Sequence, residues 1–96
     1  MTLMCKKLND NVLIIDIRDE KEHFNSTQKI IRNTINIPLC NLEKQIRKMC
    51  IRKDRLIIVF CSTGKRSKVA YITLKDLGFS NIIDAGCASN IDKLLK

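Results

Sequence analysis

Glycine and proline are scarce in this sequence, with three glycines and one proline among 96 residues. No segment rich in either residue, no internal repeat and no low-complexity stretch divides the chain. A chain of this length is expected to bury about 60–65% of the surface that it exposes when unfolded, which provides one core. We therefore expect a single domain over residues 1–96.

Long apolar runs are also absent, since no run approaches the roughly 20 residues that a membrane-spanning helix needs. The first residues contain Lys6 and Lys7 and lack the apolar segment of a secretory signal. Apolar residues make up 45% of the chain and charged residues 29%, as in ordinary globular proteins, which excludes disordered and collagen-like classes. We expect a cytoplasmic protein without a membrane partner.

The cysteines lack the pattern of a disulfide scaffold or a zinc site. Disulfide scaffolds use even numbers of cysteines in secreted chains, and zinc sites use closely spaced pairs. The five cysteines here are odd in number and form no such pair; they are Cys5, Cys40, Cys50, Cys61 and Cys87. We expect reduced thiols, most of them small buried side chains, with no metal and no cofactor.

Aromatic residues are few, and the basic residues are concentrated in one stretch. The four aromatic residues are not interleaved with basic ones, so a nucleic-acid partner is not expected. Residues 43–68 carry nine basic and two acidic side chains, which accounts for most of the net charge of +8. This excess favours an anionic substrate or partner near the stretch. For residues 44–55 a solvated helix face is the commoner explanation.

Two short apolar runs are typical of buried strands in a parallel sheet. Residues 12–17 and 56–60 are continuous and β-branched, without the alternation of a half-exposed strand. Residues 34–37 and 81–84 are weaker strand candidates. Together with the helical patterns between them, they predict an α/β fold. The expected architecture is a small, mostly parallel sheet of four to five strands flanked by helices on both faces.

Two helices are predicted between these strands. Residues 41–51 begin with Asn41 as N-cap, and residues 66–77 end before Gly78, a common helix stop. The predicted apolar faces are Leu42, Ile46, Met49 and Cys50 in the first helix, and Val69, Ala70, Ile72, Leu74 and Leu77 in the second. Shorter helices are predicted over residues 19–24 and 91–95.

The most informative segment is residues 60–67, Phe-Cys-Ser-Thr-Gly-Lys-Arg-Ser. Cys61 directly follows a buried strand, and ligands of parallel sheets bind beyond the carboxyl ends of strands. The small residues after it let backbone N–H groups point inward, as in anion sites at helix N-termini. This nest, the helix and the charges of Lys65 and Arg66 lower the pKa of a thiol. Cys61 is therefore predicted to be an activated nucleophile that faces an anion.

The segment resembles the active-site loop of rhodanese-domain sulfurtransferases. The matching pattern is Cys61-x-x-Gly64-x-Arg66-Ser67. Three further segments resemble family segments in the same order: Asp-x-Arg at 16–18, Asn-Ile-Pro at 36–38 and Gly-Phe-x-Asn-Ile at 78–82. The resemblance covers residues 12–90. Its departures, such as the absence of a tryptophan after Gly86-Cys87-Ala88, affect the scaffold more than the loop.

The resemblance implies a rhodanese-like fold and sulfur transfer. Cys61, the catalytic residue, would take the outer sulfur of a small anionic donor such as thiosulfate as a persulfide and pass it to cyanide or a thiol. Loop backbone amides would hold the donor, Arg66 would pair with its oxyanion end and Lys65 would add positive charge. The implied substrate-binding residues are Ser62, Thr63, Gly64, Lys65, Arg66 and Ser67.

Two alternatives remain open on the sequence alone. Cysteine-based phosphatases and arsenate reductases share the Cys-loop-Arg plan, but they place the arginine six residues after the cysteine, whereas Arg66 is five residues after Cys61.

A persulfide carrier or regulatory binding module would use the same loop, with residues 44–55 as a docking surface for a protein sulfur acceptor. Turnover with small-molecule donors separates a carrier from an enzyme.

Two further hypotheses concern side chains near this edge of the sheet. Cys87 follows the last predicted strand and would lie on the same edge as Cys61, where it could resolve a persulfide as a disulfide. A buried thiol is the commoner state of such a cysteine. Asp16 and Arg18, at the end of a buried strand, are interpreted as members of a structural hydrogen bond or ion pair.

Overall fold

The fold is an α/β arrangement around a four-stranded sheet. The computed structural model describes residues 12–21, 34–87 and 90. In chain order the elements are β1 (Val12–Asp16), β2 (Thr34–Asn36), a 3₁₀ helix (Leu39–Asn41), α1 (Leu42–Lys48), β3 (Leu56–Cys61), α2 (Lys65–Asp76) and β4 (Ile82–Cys87). No helix in these described ranges is long and apolar enough to cross a bilayer.

All the strand pairs in the sheet are parallel, in the order β2-β1-β3-β4. The chain thus moves to one side of β1 to form β2 and then to the other side to form β3. The carboxyl ends of β1 and β3 therefore meet at a topological switch point, the place where open parallel sheets bind ligands. The predicted α/β class and parallel sheet are confirmed.

Both faces of the sheet are buried, which explains the continuous β-branched runs of β1 and β3. On the first face, alternate residues of both strands pack against α1 and α2; the buried residues include Leu13, Ile15, Ile57, Val59, Leu42, Ile46, Ala70 and Leu74. The second face holds Ile14, Ile58, Phe60 and Ala85. The strongest strand signals in the sequence thus come from the two central strands.

The apolar face predicted for α1 is only half right. Leu42 and Ile46 are buried, but the helix ends at Lys48, so Met49 and Cys50 lie beyond it and are exposed. Cys50 has a φ of 54°, which is not compatible with continuing a right-handed helix. Asn41 is the N-cap as predicted, but its side chain makes no capping hydrogen bond.

The apolar face predicted for α2 is also partly wrong. Ala70 and Leu74 are buried, whereas Val69 is 50% exposed and Ile72 58% exposed. Successive helical residues are rotated by about 100°, so Val69 and Ile72 lie well away from the stripe that Ala70 and Leu74 form. The packed stripe of this helix instead includes Ser67, a polar residue that is fully buried.

The cysteines are less buried than predicted. Cys61 is fully buried and Cys87 half-buried, but Cys40 and Cys50 are exposed. The expectation of mostly buried thiols is therefore wrong for these two, and Cys5 lies outside the described residues. Of the shorter helices, Glu20 and Lys21 are helical and Asp19 is not, while residues 22–24 and 91–95 lie outside the described residues.

Candidate active site

Strand β3 delivers Cys61 to the carboxyl edge of the sheet. Cys61 is the last residue of β3, whose neighbours are β1 and β4, and it is fully buried. The loop of residues 62–64 follows, and α2 begins at Lys65. The predicted order of strand, cysteine, short loop and helix is confirmed, and it places the thiol at the amino end of α2.

The loop turns sharply at Gly64, which is the N-cap of α2. Gly64 has a φ of 95°, in the left-handed region that side chains with a Cβ rarely adopt. It also lies close to the last strand, because a Cβ at this position would be 3.7 Å from the Cα of Gly86. The loop therefore curls back over the edge of the sheet, and glycine is the residue that permits this turn.

Two backbone N–H groups at the start of α2 donate hydrogen bonds to the sulfur of Cys61. The Gly64 nitrogen lies 3.0 Å from Sγ, and the Ser67 nitrogen lies 3.4 Å from it. The first N–H groups of a helix have no partner within the helix and are available to an outside acceptor. The anion nest predicted from the loop sequence thus holds the sulfur atom itself.

These contacts lower the pKa of Cys61 below its ordinary value. Burial is the largest single influence and raises the pKa, because it disfavours the charged thiolate. The backbone N–H groups of Ser67 and Gly64, the Ser67 side chain and the Arg66 backbone act in the opposite direction and together outweigh it. The thiolate, which is the nucleophilic form of cysteine, is therefore favoured.

The buried hydroxyl of Ser67 can donate to either of two acceptors, the Gly64 carbonyl oxygen or the Cys61 sulfur. Its Oγ donates to the Gly64 carbonyl oxygen at 3.0 Å, and the same side chain contributes to lowering the pKa of Cys61. A hydroxyl has one proton, so it either closes the loop or stabilises the thiolate. The sequence reasoning included Ser67 for its backbone amide and missed this side-chain role.

The amino end of α2 carries an unusual concentration of positive charge. Its first turn contains Lys65 and Arg66 with no acidic residue, and Lys68 follows. Acidic residues are the ones that stabilise this end of a helix, so the arrangement gives up stability and strengthens attraction for an anion. The Arg66 guanidinium also donates to Ser62 Oγ at 3.2 Å, which links the two ends of the loop.

The predicted loop residues differ in their exposure to solvent. Ser62, Thr63 and Lys65 are exposed, whereas Arg66 is half-buried and Ser67 fully buried. All six predicted binding residues are thus brought to one place around Cys61. Gly64 and Ser67 donate N–H hydrogen bonds to its sulfur at 3.0 and 3.4 Å.

Asp16 and Arg18 form an ion pair at the neighbouring end of β1, as predicted. The Asp16 carboxylate is fully buried and accepts hydrogen bonds from Arg18 Nε at 2.9 Å and Nη2 at 2.8 Å. The Arg18 guanidinium lies 5.8 Å from the centre of the Phe60 ring, next to Cys61 in the chain. Asn36 Nδ2 donates to the carbonyl oxygens of both residues of the pair, at 2.9 and 2.8 Å. The sequence reasoning missed this role of Asn36, although it had noted the Asn-Ile-Pro segment.

Cys87 lies directly beside Cys61 in the sheet. Strand β4 continues to Cys87, beyond the predicted end at residue 84, and Cys61 and Cys87 are paired residues of β3 and β4. The prediction that both thiols lie on one edge of the sheet is confirmed.

The basic residues of the segment 43–68 fall into two separate groups. Residues 44–55 lead up to the amino end of β3, and those in the connection before the strand lie roughly 17 Å from Cys61 at about 3.3 Å per strand residue. Two of these basic residues form ion pairs with nearby acidic residues, Arg47 with Glu43 and Arg52 with Asp54. The charges near the thiol are those at the start of α2.

Comparison with known proteins gives a consistent result. A model of the family described as rhodanese-like domain matches residues 3–86. The chain is 27% identical over 77 residues to the thiosulfate sulfurtransferase PspE of Escherichia coli strain K12, covering 80% of this chain and 71% of that protein. It is 28% identical over 76 residues to the putative sulfur carrier protein YrkF of Bacillus subtilis strain 168, covering 79% of this chain and 38% of that protein.

A solved structure described as a rhodanese with anions from E. coli is similar to the fold. It superposes with a TM-score of 0.71 at 25% identity, covering 82% of this chain and 89% of that one.

Proposed function

The chain belongs to the rhodanese-like domain family, and from this premise we propose that it transfers sulfane sulfur through a persulfide on Cys61. The observation that carries the proposal is the sulfur atom of Cys61, buried at the edge of the sheet and bonded by the N–H groups of Gly64 and Ser67. The lowered pKa of this thiol favours the thiolate, the form that attacks the donor. Donors in this proposal are small anions with an outer sulfur, such as thiosulfate.

The proposed reaction has two steps. In the first, the Cys61 thiolate attacks the outer sulfur of thiosulfate, the bond between the two donor sulfurs breaks, and sulfite leaves with the electron pair. In the second, cyanide or a thiolate attacks the terminal sulfur of the persulfide, takes it away and restores the Cys61 thiolate. Because sulfite leaves before the acceptor binds, the reaction is expected to follow ping-pong kinetics.

The loop supplies the electrostatic part of this proposal. Backbone N–H groups from Ser62 to Ser67 hold the negative charge of the donor and of the persulfide. Arg66 pairs with the sulfite end of the donor, and Lys65, which is exposed, adds to the positive field. Loss of one well-placed donor in a site of this kind typically costs about 2.7–4 kcal/mol of transition-state stabilisation.

The proposal is tested by locating the transferred sulfur. The protein is treated with thiosulfate, its thiols and persulfides are alkylated, and tryptic peptides are weighed. The peptide of residues 56–65 lies between Arg55 and Lys65 and contains Cys61 as its one cysteine. We expect this peptide to gain one sulfur atom, and to show no gain when the protein is treated with cyanide before alkylation, as thiocyanate forms. A gain restricted to the peptides of Cys40 or Cys50 would contradict the proposal.

Replacing Ser67 by alanine is expected to move the acid limb of the pH profile of kcat/KM for thiosulfate to higher pH. Activity rises with pH through the pKa of Cys61, because the thiolate attacks the donor. In the unsubstituted protein this limb lies at lower pH than that of an ordinary cysteine, since the pKa of Cys61 is lowered. Removing the Ser67 hydroxyl removes one of the groups that lower it.

Ser80→Ala is the matched control for Ser67→Ala. Ser80 is exposed, precedes β4 at the opposite edge of the sheet, and donates to the Lys53 carbonyl oxygen. Its loss should leave the acid limb in place. If the limb of Ser67→Ala also stays in place, the hydroxyl serves the Gly64 carbonyl rather than the thiolate.

A sulfur carrier is the second candidate, because the chain is similar to the putative sulfur carrier YrkF. A carrier loads Cys61 in the same way, but hands its sulfur to a protein thiol. It would form the persulfide within one turnover and discharge it slowly to cyanide or small thiols. Steady-state turnover that matches the rate of loading favours the enzyme. Membership of the rhodanese-like family favours sulfur transfer over the phosphatase alternative.

A further inference from the structure

A second thiol lies in register with the proposed nucleophile. Cys61 and Cys87 are paired residues of the parallel strands β3 and β4. Neighbouring strands are about 4.8 Å apart, and paired residues direct their side chains to the same face. This separation falls within the range of about 4.4–6.8 Å between the Cα atoms of disulfide-bonded cysteines. The backbone separation of the two residues is thus compatible with a disulfide between them.

A bulge in β4 is what brings Cys87 to this position. Val59 pairs with Asp84, but the next residue, Phe60, pairs with Gly86, so Ala85 is an extra residue on β4. Without it, the regular register would put Gly86 beside the nucleophile. The bulge therefore replaces a residue without a side chain by a thiol at the β4 position paired with Cys61.

Local contacts hold the bulge in place. Gly86 has a φ of 77°, and its N–H donates to Asp84 Oδ1 at 3.0 Å. The carbonyl oxygen of the extra residue Ala85 accepts from Asn90 Nδ2 at 2.6 Å. The bulge also lies close to the loop that surrounds Cys61, because a Cβ added to Gly64 would be 3.7 Å from the Cα of Gly86. A β-bulge changes which residue of its strand lies opposite the neighbouring strand, and thereby the direction of the side chains that follow.

We propose that Cys87 discharges the Cys61 persulfide within the same chain and releases sulfide, which gives the protein a second, thiol-dependent activity. This inference rests on the proposed function, since it needs the persulfide. The Cys87 sulfur attacks the inner sulfur, Sγ of Cys61, the sulfur–sulfur bond of the persulfide breaks, and hydrosulfide leaves with the bonding electron pair. The proton of the Cys87 thiol goes to the departing sulfur.

The electrons balance without an outside oxidant. The terminal sulfur is reduced to sulfide, and the two cysteines are oxidised to a Cys61–Cys87 disulfide. Two molecules of a small thiol then reduce that disulfide and restore both cysteines. Over a full cycle, one thiosulfate and two thiols give sulfite, hydrogen sulfide and one small-molecule disulfide.

The experiment uses the full chain with the other three cysteines, Cys5, Cys40 and Cys50, replaced by serine. The protein is loaded with thiosulfate, freed of donor and kept without any acceptor, while released sulfide and intact mass are followed. We expect one sulfide for each persulfide lost, and a final mass two hydrogen atoms below that of the reduced chain. Tryptic digestion without reduction should yield residues 56–65 linked to residues 76–93.

Cys87→Ser in the same background is the decisive variant. Its persulfide is expected to accumulate and to release no sulfide until a thiol is added. Equal rates of sulfide release with and without Cys87, or a disulfide between two chains, would overturn the inference. If no persulfide forms in either chain, the proposed function fails first. If Cys87→Ser does not fold, Cys87→Ala in the same background provides the same test. The linked peptide from the chain that retains Cys61 and Cys87 provides a second one.

Discussion

Replacement of Cys61 by serine is expected to abolish sulfur transfer from thiosulfate to cyanide. The serine hydroxyl does not ionise near neutral pH, and its oxygen cannot carry the transferred sulfur as a persulfide. Removal of a residue that forms the covalent intermediate costs on the order of 10⁶-fold in kcat in subtilisin, and we expect activity here to fall to the level without protein. The measurement is thiocyanate production at saturating thiosulfate.

The fold should survive this replacement. A serine oxygen accepts the N–H groups that now bond to Sγ, those of Gly64 and Ser67, so none of them becomes a buried donor without a partner. We expect urea unfolding to show a change of no more than about 1 kcal/mol. Cys50→Ser is the matched control, because Cys50 is an exposed thiol before β3. Retained thiocyanate production in Cys61→Ser, or its loss in Cys50→Ser, would place the nucleophile elsewhere.

Replacement of Asp16 by alanine is expected to lower the free energy of unfolding by about 3–5 kcal/mol. The Asp16 side chain is fully buried, and that of its partner Arg18 is 13% exposed. Removing the carboxylate leaves a mostly buried guanidinium without this partner and removes the acceptor of the Arg18 backbone N–H, 3.0 Å away. A domain of this size has on the order of 5–14 kcal/mol of stability, so the loss is a large share.

An exposed ion pair provides the control for Asp16→Ala. Glu43 and Arg47 are one turn apart on α1, with side chains 56% and 64% exposed. Glu43→Ala should cost about 0.3–0.5 kcal/mol, because exposed pairs are screened by water. Urea denaturation of both variants measures the difference. Equal small losses would mean that the Arg18 side chain turns to solvent when Asp16 is removed, and that the pair is not needed for stability.

The parts of the molecule that were correctly predicted are those specified by neighbouring residues. Strands β1 and β3 are buried on both faces, and a continuous β-branched run is typical of such strands in a parallel sheet. The loop after Cys61 is short and contains a glycine with the φ that it requires. Local chain order was therefore sufficient to predict the sheet, the position of Cys61 at its edge and the helix that follows it.

The incorrect predictions concern contacts between distant segments. Several apolar residues of α1 and α2 were assigned to the core by spacing, yet Met49, Val69 and Ile72 are exposed. Which side of a helix is buried depends on the element against which it packs, and Val69 and Ile72 lie on a different side of α2 from the buried Ala70 and Leu74. For the same reason, the buried Ser67 was not assigned to the packed face of α2.

The sequence by itself determined that this chain forms a parallel α/β sheet and carries a cysteine, a glycine and two cations in one loop at its edge. These features depend on residues close together in the chain, whose steric and hydrogen-bonding preferences act locally. The tertiary structure alone decided the donors to the Cys61 sulfur, the acceptors of Asn36 and the pairing of Cys61 with Cys87. That pairing depends on the one-residue bulge at Ala85, and a strand register is set by contacts across the sheet rather than along the chain.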